Sequence, residues 1–231
     1  QSDLTGVDDL VYDSTNNKVI IGYRDYGNNY YGTAIVGTVS GTSISFGSEV
    51  VFESATTTNI SSVYDPTNGK VVIAYRDSDN SGYGTAIVGT VSGTSISFGS
   101  EVVFDSAGSL YIAAAYDSAN QKVVITYRDG GNSDYGTAIV GTVSGTSISF
   151  GSEVVFESDV SQYISAAYDS TNQKVVIAYQ DAGNSNYGTA VVGTVSGTSI
   201  SFGSAVVFES NSTAGHMSVI YDSTNNKVVI A

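Results

Sequence analysis

A 22-residue passage, YGTAIVGTVSGTSISFGSEVVF, stands word for word at Tyr31 to Phe52, Tyr83 to Phe104 and Tyr135 to Phe156. It returns at Tyr187 to Phe208 with Val191 for Ile and Ala205 for Glu, so the chain repeats every 52 residues. A period of this size signals one supersecondary unit stacked several times, because a single unit cannot bury its own apolar face. Residues 1–54, 55–106, 107–158 and 159–210 form four full repeats, and 211–231 form part of a fifth. The 231 residues, 41% of them hydrophobic, can bury a sizeable core, and the chain reads as a single repeat domain.

The second repeat serves as the type. Ile60 to Tyr64 leads into Asp65-Pro66-Thr67-Asn68-Gly69, after which Lys70 to Arg76 alternates Val71, Ile73, Tyr75 with Val72, Ala74, Arg76. Two strands joined by an Asn/Gly turn are expected. A third strand covers Thr85 to Val91. Ser92-Gly93-Thr94-Ser95 places Gly at the first central position, as a type II′ hairpin prefers, and the fourth strand is Ile96 to Phe104. Gly99-Ser100 inside it predicts a bulge or bend. No stretch sustains a 3.6-residue period, so helix has little support.

Four short antiparallel strands per repeat, joined by short turns, resemble the blade of a β-propeller. The layout is similar to WD40-type blades, with IAAAYDSANQKVVITY at Ile112 to Tyr127 standing where such proteins place their first two strands. The chain contains no Trp, so the Trp-Asp signature is missing. The 52-residue period is closer to kelch, whose Gly-Gly signature does not recur from copy to copy. The resemblance implies an all-β, propeller-like array of four-stranded antiparallel blades. The fifth copy holds only two strands, Met217 to Tyr221 and Lys227 to Ala231, a half blade with three explanations. It is an incomplete blade of a ring, the end of a fragment of a longer repeat chain, or a surface through which subunits self-associate.

Twenty-two acidic residues against eight basic ones give a net charge of -14, which opposes binding to nucleic acid or anionic lipid. All eight cations recur at repeat positions, Lys18, Lys70, Lys122, Lys174, Lys227, Arg24, Arg76 and Arg128, so no separate basic patch exists. Without cysteine there are no disulfides or thiolate metal sites. No apolar run approaches the roughly 18 residues that span a membrane, so no membrane insertion is expected.

Differences between the copies fall in two segments. The loop ahead of the first strand reads ATTTNIS at Ala55 to Ser61, AGSLYIA at Ala107 to Ala113, DVSQYIS at Asp159 to Ser165 and NSTAGHMS at Asn211 to Ser218. The loop between strands two and three reads YGNNY from Tyr26, SDNSG from Ser78, GGNSD from Gly130 and AGNSN from Ala182. In a meander both loops lie at one end of the strands and the conserved turns at the other. Loops held by a rigid scaffold carry binding residues disproportionately, and Asn, Ser, Tyr and Gly suit adaptable polar recognition. Asn28, Tyr30, Asp79, Asn80, Tyr111, Asn132, Tyr163 and Asn184 are the contact candidates. Drift in loops is the competing explanation.

Other motifs weigh less. Three arginines in Tyr-Arg-Asp at residues 23–25, 75–77 and 127–129 could clamp a carboxylate as in sialidase-like propellers, but the fourth copy has Gln180, and an ion pair or turn cap within each blade explains them better. Asp77-Ser78-Asp79-Asn80 has the spaced oxygens of a calcium loop, yet its siblings lack the middle acid, so Asx turns are preferred and no metal is assigned. His216 has no triad partners identifiable from spacing. Glu49, Glu101 and Glu153 read as solvated strand positions. Asn59-Ile60-Ser61 and Asn211-Ser212-Thr213 are glycosylation sequons.

The expectation is therefore a non-enzymatic, cofactor-free, multivalent binding module or adhesin for a glycan or surface protein, located extracellularly, on a cell surface or on a virion. The alternative is a structural subunit of an extracellular filament, fibre or coat.

Overall fold

The chain is all-β: the computed structural model describes residues 6–211 and 215–231, and holds 20 strands and no helix among them. The first sheet contains β1 (Gly6–Asp13), β2 (Lys18–Asp25), β3 (Tyr31–Ser40), β4 (Ser43–Phe46), β5 (Val50–Asp65), β6 (Lys70–Asp77), β7 (Tyr83–Ser92), β8 (Ser95–Phe98) and β9 (Val102–Asp105). The second contains β10 (Ser109–Asp117), β11 (Lys122–Asp129), β12 (Tyr135–Ser144), β13 (Ser147–Phe150), β14 (Val154–Asp169), β15 (Lys174–Asp181), β16 (Tyr187–Ser196), β17 (Ser199–Phe202) and β18 (Val206–Glu209). β19 (Val219–Asp222) and β20 (Lys227–Ile230) pair with each other alone.

Identical sequence produces identical register. Strands two and three pair antiparallel as Val19↔Gly37, Val71↔Gly89, Val123↔Gly141 and Val175↔Gly193. The first turn is closed by an aspartate whose Oδ1 accepts two main-chain N–H groups, as at Asp65 from Thr67 (2.9 Å) and Asn68 (3.1 Å). A left-handed residue, Gly69 at φ 62° or its counterpart Asn17, Gln121, Gln173 or Asn226, then returns the chain. At the second hairpin Gly93 is left-handed (φ 61°) and Thr94 is not, the type II′ pattern that the sequence predicts.

The predicted bend at Gly99 divides the fourth strand into β8 and β9, both paired with β7. β5 runs 16 residues: its start pairs with β3 and its remainder with β6, so the last strand of one repeat becomes the first of the next. β14 does the same.

Contacts divide the chain into two compact units, Gln1–Ser106 with Val143–Ser149, and Ala107–Thr142 with Phe150–Ala231. In the first unit Ile20, Ala34 and Val36 of repeat one pack with Val71, Ile73, Tyr75 and Ile87 of repeat two. In the second, Val124, Ala138 and Val140 pack with Val175, Ile177, Tyr179 and Val191. Each unit thus buries its core between consecutive repeats, as a stacked unit must. Val71 through Tyr75 are buried on both strand faces, which explains why KVVIAYR carries so few polar residues.

The SGTS hairpin docks on the preceding repeat. A Cβ added to Gly47 would lie 1.8 Å from the carbonyl oxygen of Thr94, and one on Gly99 or Gly151 would lie 1.9 Å from that of Thr146 or Thr198. Only glycine allows this approach. The hairpin's apolar residues are covered accordingly: Val91 and Ile96 are 7% and 3% exposed, whereas Val39 and Ile44 of the first repeat are 57% and 46% exposed. Constancy of the turn therefore has a packing cause at Val91 and Ile96 and a conformational one at the left-handed Gly93. Nothing in the structure explains the constancy of the exposed Ser92 and Ser95.

Candidate functional site

The loop between strands two and three is shaped by its main chain. Asp129 at the end of β11 accepts N–H from Gly131 (2.9 Å) and Asn132 (3.1 Å) on Oδ1, and Asp25, Asp77 and Asp181 act alike. The carbonyls of Asn28, Asn80, Asn132 and Asn184 accept the N–H of Tyr31, Tyr83, Tyr135 and Tyr187 at 3.0–3.1 Å. Two left-handed residues follow in each copy: Asn29 and Tyr30, Ser81 and Gly82, Ser133 and Asp134, Ser185 and Asn186. Asx turning is thus what Asp77-Ser78-Asp79-Asn80 does. Asp79, Asn80, Asn132 and Asn184 are exposed, Tyr30 is exposed, and Asn28 is half-buried.

Each arginine is engaged by its own loop. The Arg24 guanidinium lies 4.6 Å from the Tyr26 ring and 5.9 Å from the Tyr30 ring, and donates to the Tyr26 hydroxyl. Arg76 donates to Ser78 Oγ at 3.1 Å and lies against Gly82, where a Cβ would collide with it. Arg128 sits over the Tyr111 ring at 5.3 Å, with its Nε 3.2 Å from Asp134 Oδ1. The residue at position 30, 82 or 134 thus stacks on, makes room for, or pairs with the cation. Of the three, Arg128 makes an ion pair of the kind expected within a repeat, while Arg24 and Arg76 instead use tyrosine and serine side chains of their own loops.

The two variable loops are laced together. Thr57 N–H donates to the Tyr30 carbonyl (3.1 Å) and Ser78 N–H to the Thr56 carbonyl (2.9 Å). In the second unit Gly130 donates to Gly108 (3.0 Å), Ser161 to Asp134 (3.2 Å) and Ala182 to Val160 (3.0 Å). In each unit both variable segments therefore share one end of the strands.

At that end each first strand carries a bulge. Asn59 and Ile60 together oppose Tyr75, Tyr111 and Ile112 oppose Tyr127, and Tyr163 and Ile164 oppose Tyr179. The isoleucine is buried, and the preceding residue is left-handed: φ is 52° at Asn59, 51° at Tyr111 and 50° at Tyr163. His216 repeats this conformation at 60°. In the second unit the rings of Tyr111 and Tyr163 lie 5.2 Å apart, as do those of Tyr163 and His216. Left-handed backbone disfavours bulky residues, so the fold imposes it on these side chains. Spacing marks His216 only as a lone histidine; aligning the loops on their shared isoleucine or methionine would have found this row. Ser212 and Thr213 of the second sequon lie outside the described residues.

A further polar cluster sits under the strands. The buried tyrosines of strand two each donate to a glutamate: Tyr23 to Glu49 (2.8 Å), Tyr75 to Glu53 (3.1 Å), Tyr127 to Glu153 (2.8 Å) and Tyr179 to Glu157 (2.9 Å). Glu49 and Glu153 are exposed, as read from the sequence, and have this second task. Tyr179 uses Glu157 where Ala205 replaces the alternative acid. Glu53, Asp77 and Glu101 bring carboxylate oxygens within 4.8 Å of one another, three hard donors of the kind a divalent cation takes. Burial pushes the Glu53 carboxyl up to about 7, reinforced by its hydrogen bond and proximity to Glu101 and by Asp77.

No protein-family model matches this chain, and no curated protein matches it. No helix among the described residues is long and apolar enough to cross a membrane.

Proposed function

We propose that this chain is a propeller-like binding module, non-enzymatic and extracellular, that recognises a glycan through the variable-loop end of its repeats. The observation that carries the reading is the row of Tyr111, Tyr163 and His216, one residue per repeat, at equivalent left-handed positions and 5.2 Å apart. Ring faces with a polar tip combine apolar contact with hydrogen bonding at low entropic cost. Exposed Asn132 and Asn184 add polar groups on the loops of the same unit. Packing of consecutive repeats face to face supports the blade arrangement. Recurrence of the site favours several weak contacts that sum through avidity. The test is a glycan array with the intact chain and with Tyr111→Ala/Tyr163→Ala. Binding lost in the folded double variant supports the reading, and no glycan retained by the wild type on any array sinks it.

A further inference from the structure

Glu53, Asp77 and Glu101 gather three carboxylates in the first unit, Glu53 and Asp77 buried and Glu101 open to solvent. Tyr75 donates its one hydroxyl proton to Glu53 (3.1 Å), and the turn amides of Asp79 and Asn80 both bind Oδ1 of Asp77. Among the described residues no lysine or arginine pairs with any of the three acids, and the neighbouring Arg76 reaches Ser78 instead. A buried hydroxyl is also left over: Thr57 is fully buried, and its Oγ1 has no hydrogen-bond partner. Thr57 stands directly across the ladder between β5 and β6 from Asp77, and Tyr75 and Asp77 alternate onto one face. The Thr57 side chain therefore shares that face with the acids, with Cβ atoms of the opposed pair about 4.5–5.5 Å apart. Ser161, its counterpart in the fourth copy, instead donates to the Asp159 carbonyl at 3.3 Å. At 52-residue steps the equivalent trios are Gln1, Asp25 and Glu49, then Asp105, Asp129 and Glu153, then Glu157, Asp181 and Ala205, so glutamate at both outer positions occurs once.

We infer that Glu53, Asp77 and Glu101, with the Thr57 hydroxyl, form a binding site for one calcium ion beneath the turn that follows β6. All four groups are hard oxygen donors. Calcium takes about six to eight such ligands at about 2.3–2.6 Å in adaptable geometry, whereas magnesium demands a near-ideal octahedron and keeps several waters. Oxygens on opposite sides of one calcium ion stand up to about 5 Å apart, and the three carboxylate oxygens lie within 4.8 Å of one another. Exposed Glu101 leaves the entry path and the remaining coordination positions to water. Because Asp77 also holds the turn amides, the ion ties a variable loop to β5 and to the segment entering β9. This occupant is distinct from the glycan proposed for the ring row.

The test is isothermal titration calorimetry of calcium chloride into the full chain, stripped with chelator and held at about pH 8, where the carboxyls are ionised. One calcium per chain with a Kd below about 1 mM is expected. Glu101→Ala, which installs the residue found at Ala205, should weaken binding about tenfold or more. Glu49→Ala and Asp79→Asn remove acids outside the trio and should leave the affinity within about twofold. Melting curves in chelator verify that each variant folds. A second readout is stability: saturating calcium should raise the unfolding midpoint of the wild type by about 5 °C and leave that of Glu101→Ala in place. No saturable binding below about 1 mM, an unmoved wild-type midpoint, undiminished binding to folded Glu101→Ala, or an equal loss in Glu49→Ala or Asp79→Asn would each overturn the inference.

Discussion

The two ends of the strands solve opposite problems. At the hairpin end Gly99 and the Thr146 carbonyl touch at a distance that no side chain tolerates, and the sequence there is constant from copy to copy. At the loop end the shape is held by aspartate oxygens, main-chain carbonyls and left-handed residues, so side chains differ while the backbone repeats. Constancy in this chain marks where repeats meet. Variation marks where main-chain bonding leaves side chains free to face outward.

The contrast is sharpest where one sequence occupies two surroundings. Phe52→Ala should cost about 3–5 kcal/mol, because it empties a site packed by Tyr75 and Phe98. Phe208→Ala should cost under about 1 kcal/mol, since that ring is half in solvent. Denaturant midpoints of the two variants measure the difference, and equal losses would break the comparison. Ile96→Ala against Ile44→Ala is the same experiment on the hairpin, with about 2–4 kcal/mol expected for the first and under about 1 for the second.

A smaller effect separates the buried acid from the exposed ones. Folded Glu53 holds its proton up to about 7, while an unfolded glutamate releases it near 4.5. The folded state therefore binds more protons between those values, and stability falls as pH rises from about 4.5 to 7. Thermal unfolding across this window should show the decline in the wild type and a flatter profile in Glu53→Gln. An unchanged profile in the variant would remove Glu53 as its source.

The smallest effects belong to the loop end. Asn132→Ala and Asn184→Ala should stay within about 0.5 kcal/mol of wild type, because the turn uses only their main chain. Asp129→Ala, which deprives two amides of their acceptor, should cost about 1 kcal/mol. Melting curves that ranked Asn132→Ala above Asp129→Ala would invert the roles assigned to them.

Much of the local structure was legible in the sequence. The Asn/Gly turn, the left-handed Gly93 and the bend at Gly99 each follow from residues whose conformational demands are local. The placement of both variable loops at one strand end followed from the meander alone. The docking role of Gly99 was not legible, since its constraint comes from a carbonyl 47 residues away (146 minus 99). Nor was the pairing of Tyr127 with Glu153 in its own repeat, or of Tyr179 with Glu157 of the preceding one, which depends on how segments more than 20 residues apart face each other. Of the candidate contact residues, Tyr111 and Tyr163 come together in space, while Asn132 and Asn184 lie on separate loops as exposed turn residues. His216 joins the row as the residue before Met217, which becomes legible only when the loops are aligned on that methionine and the isoleucines of the other copies.

The most direct measurement is the unfolding free energy of Gly99→Ala beside Gly203→Ala in the same chain. The first places a methyl group against backbone, which cannot rotate away, and should cost about 3 kcal/mol. The second should be neutral, or more stable by a few tenths of a kcal/mol through the unfolded state. Equal midpoints for the two variants would contradict the role of glycine as the seat on which each repeat docks.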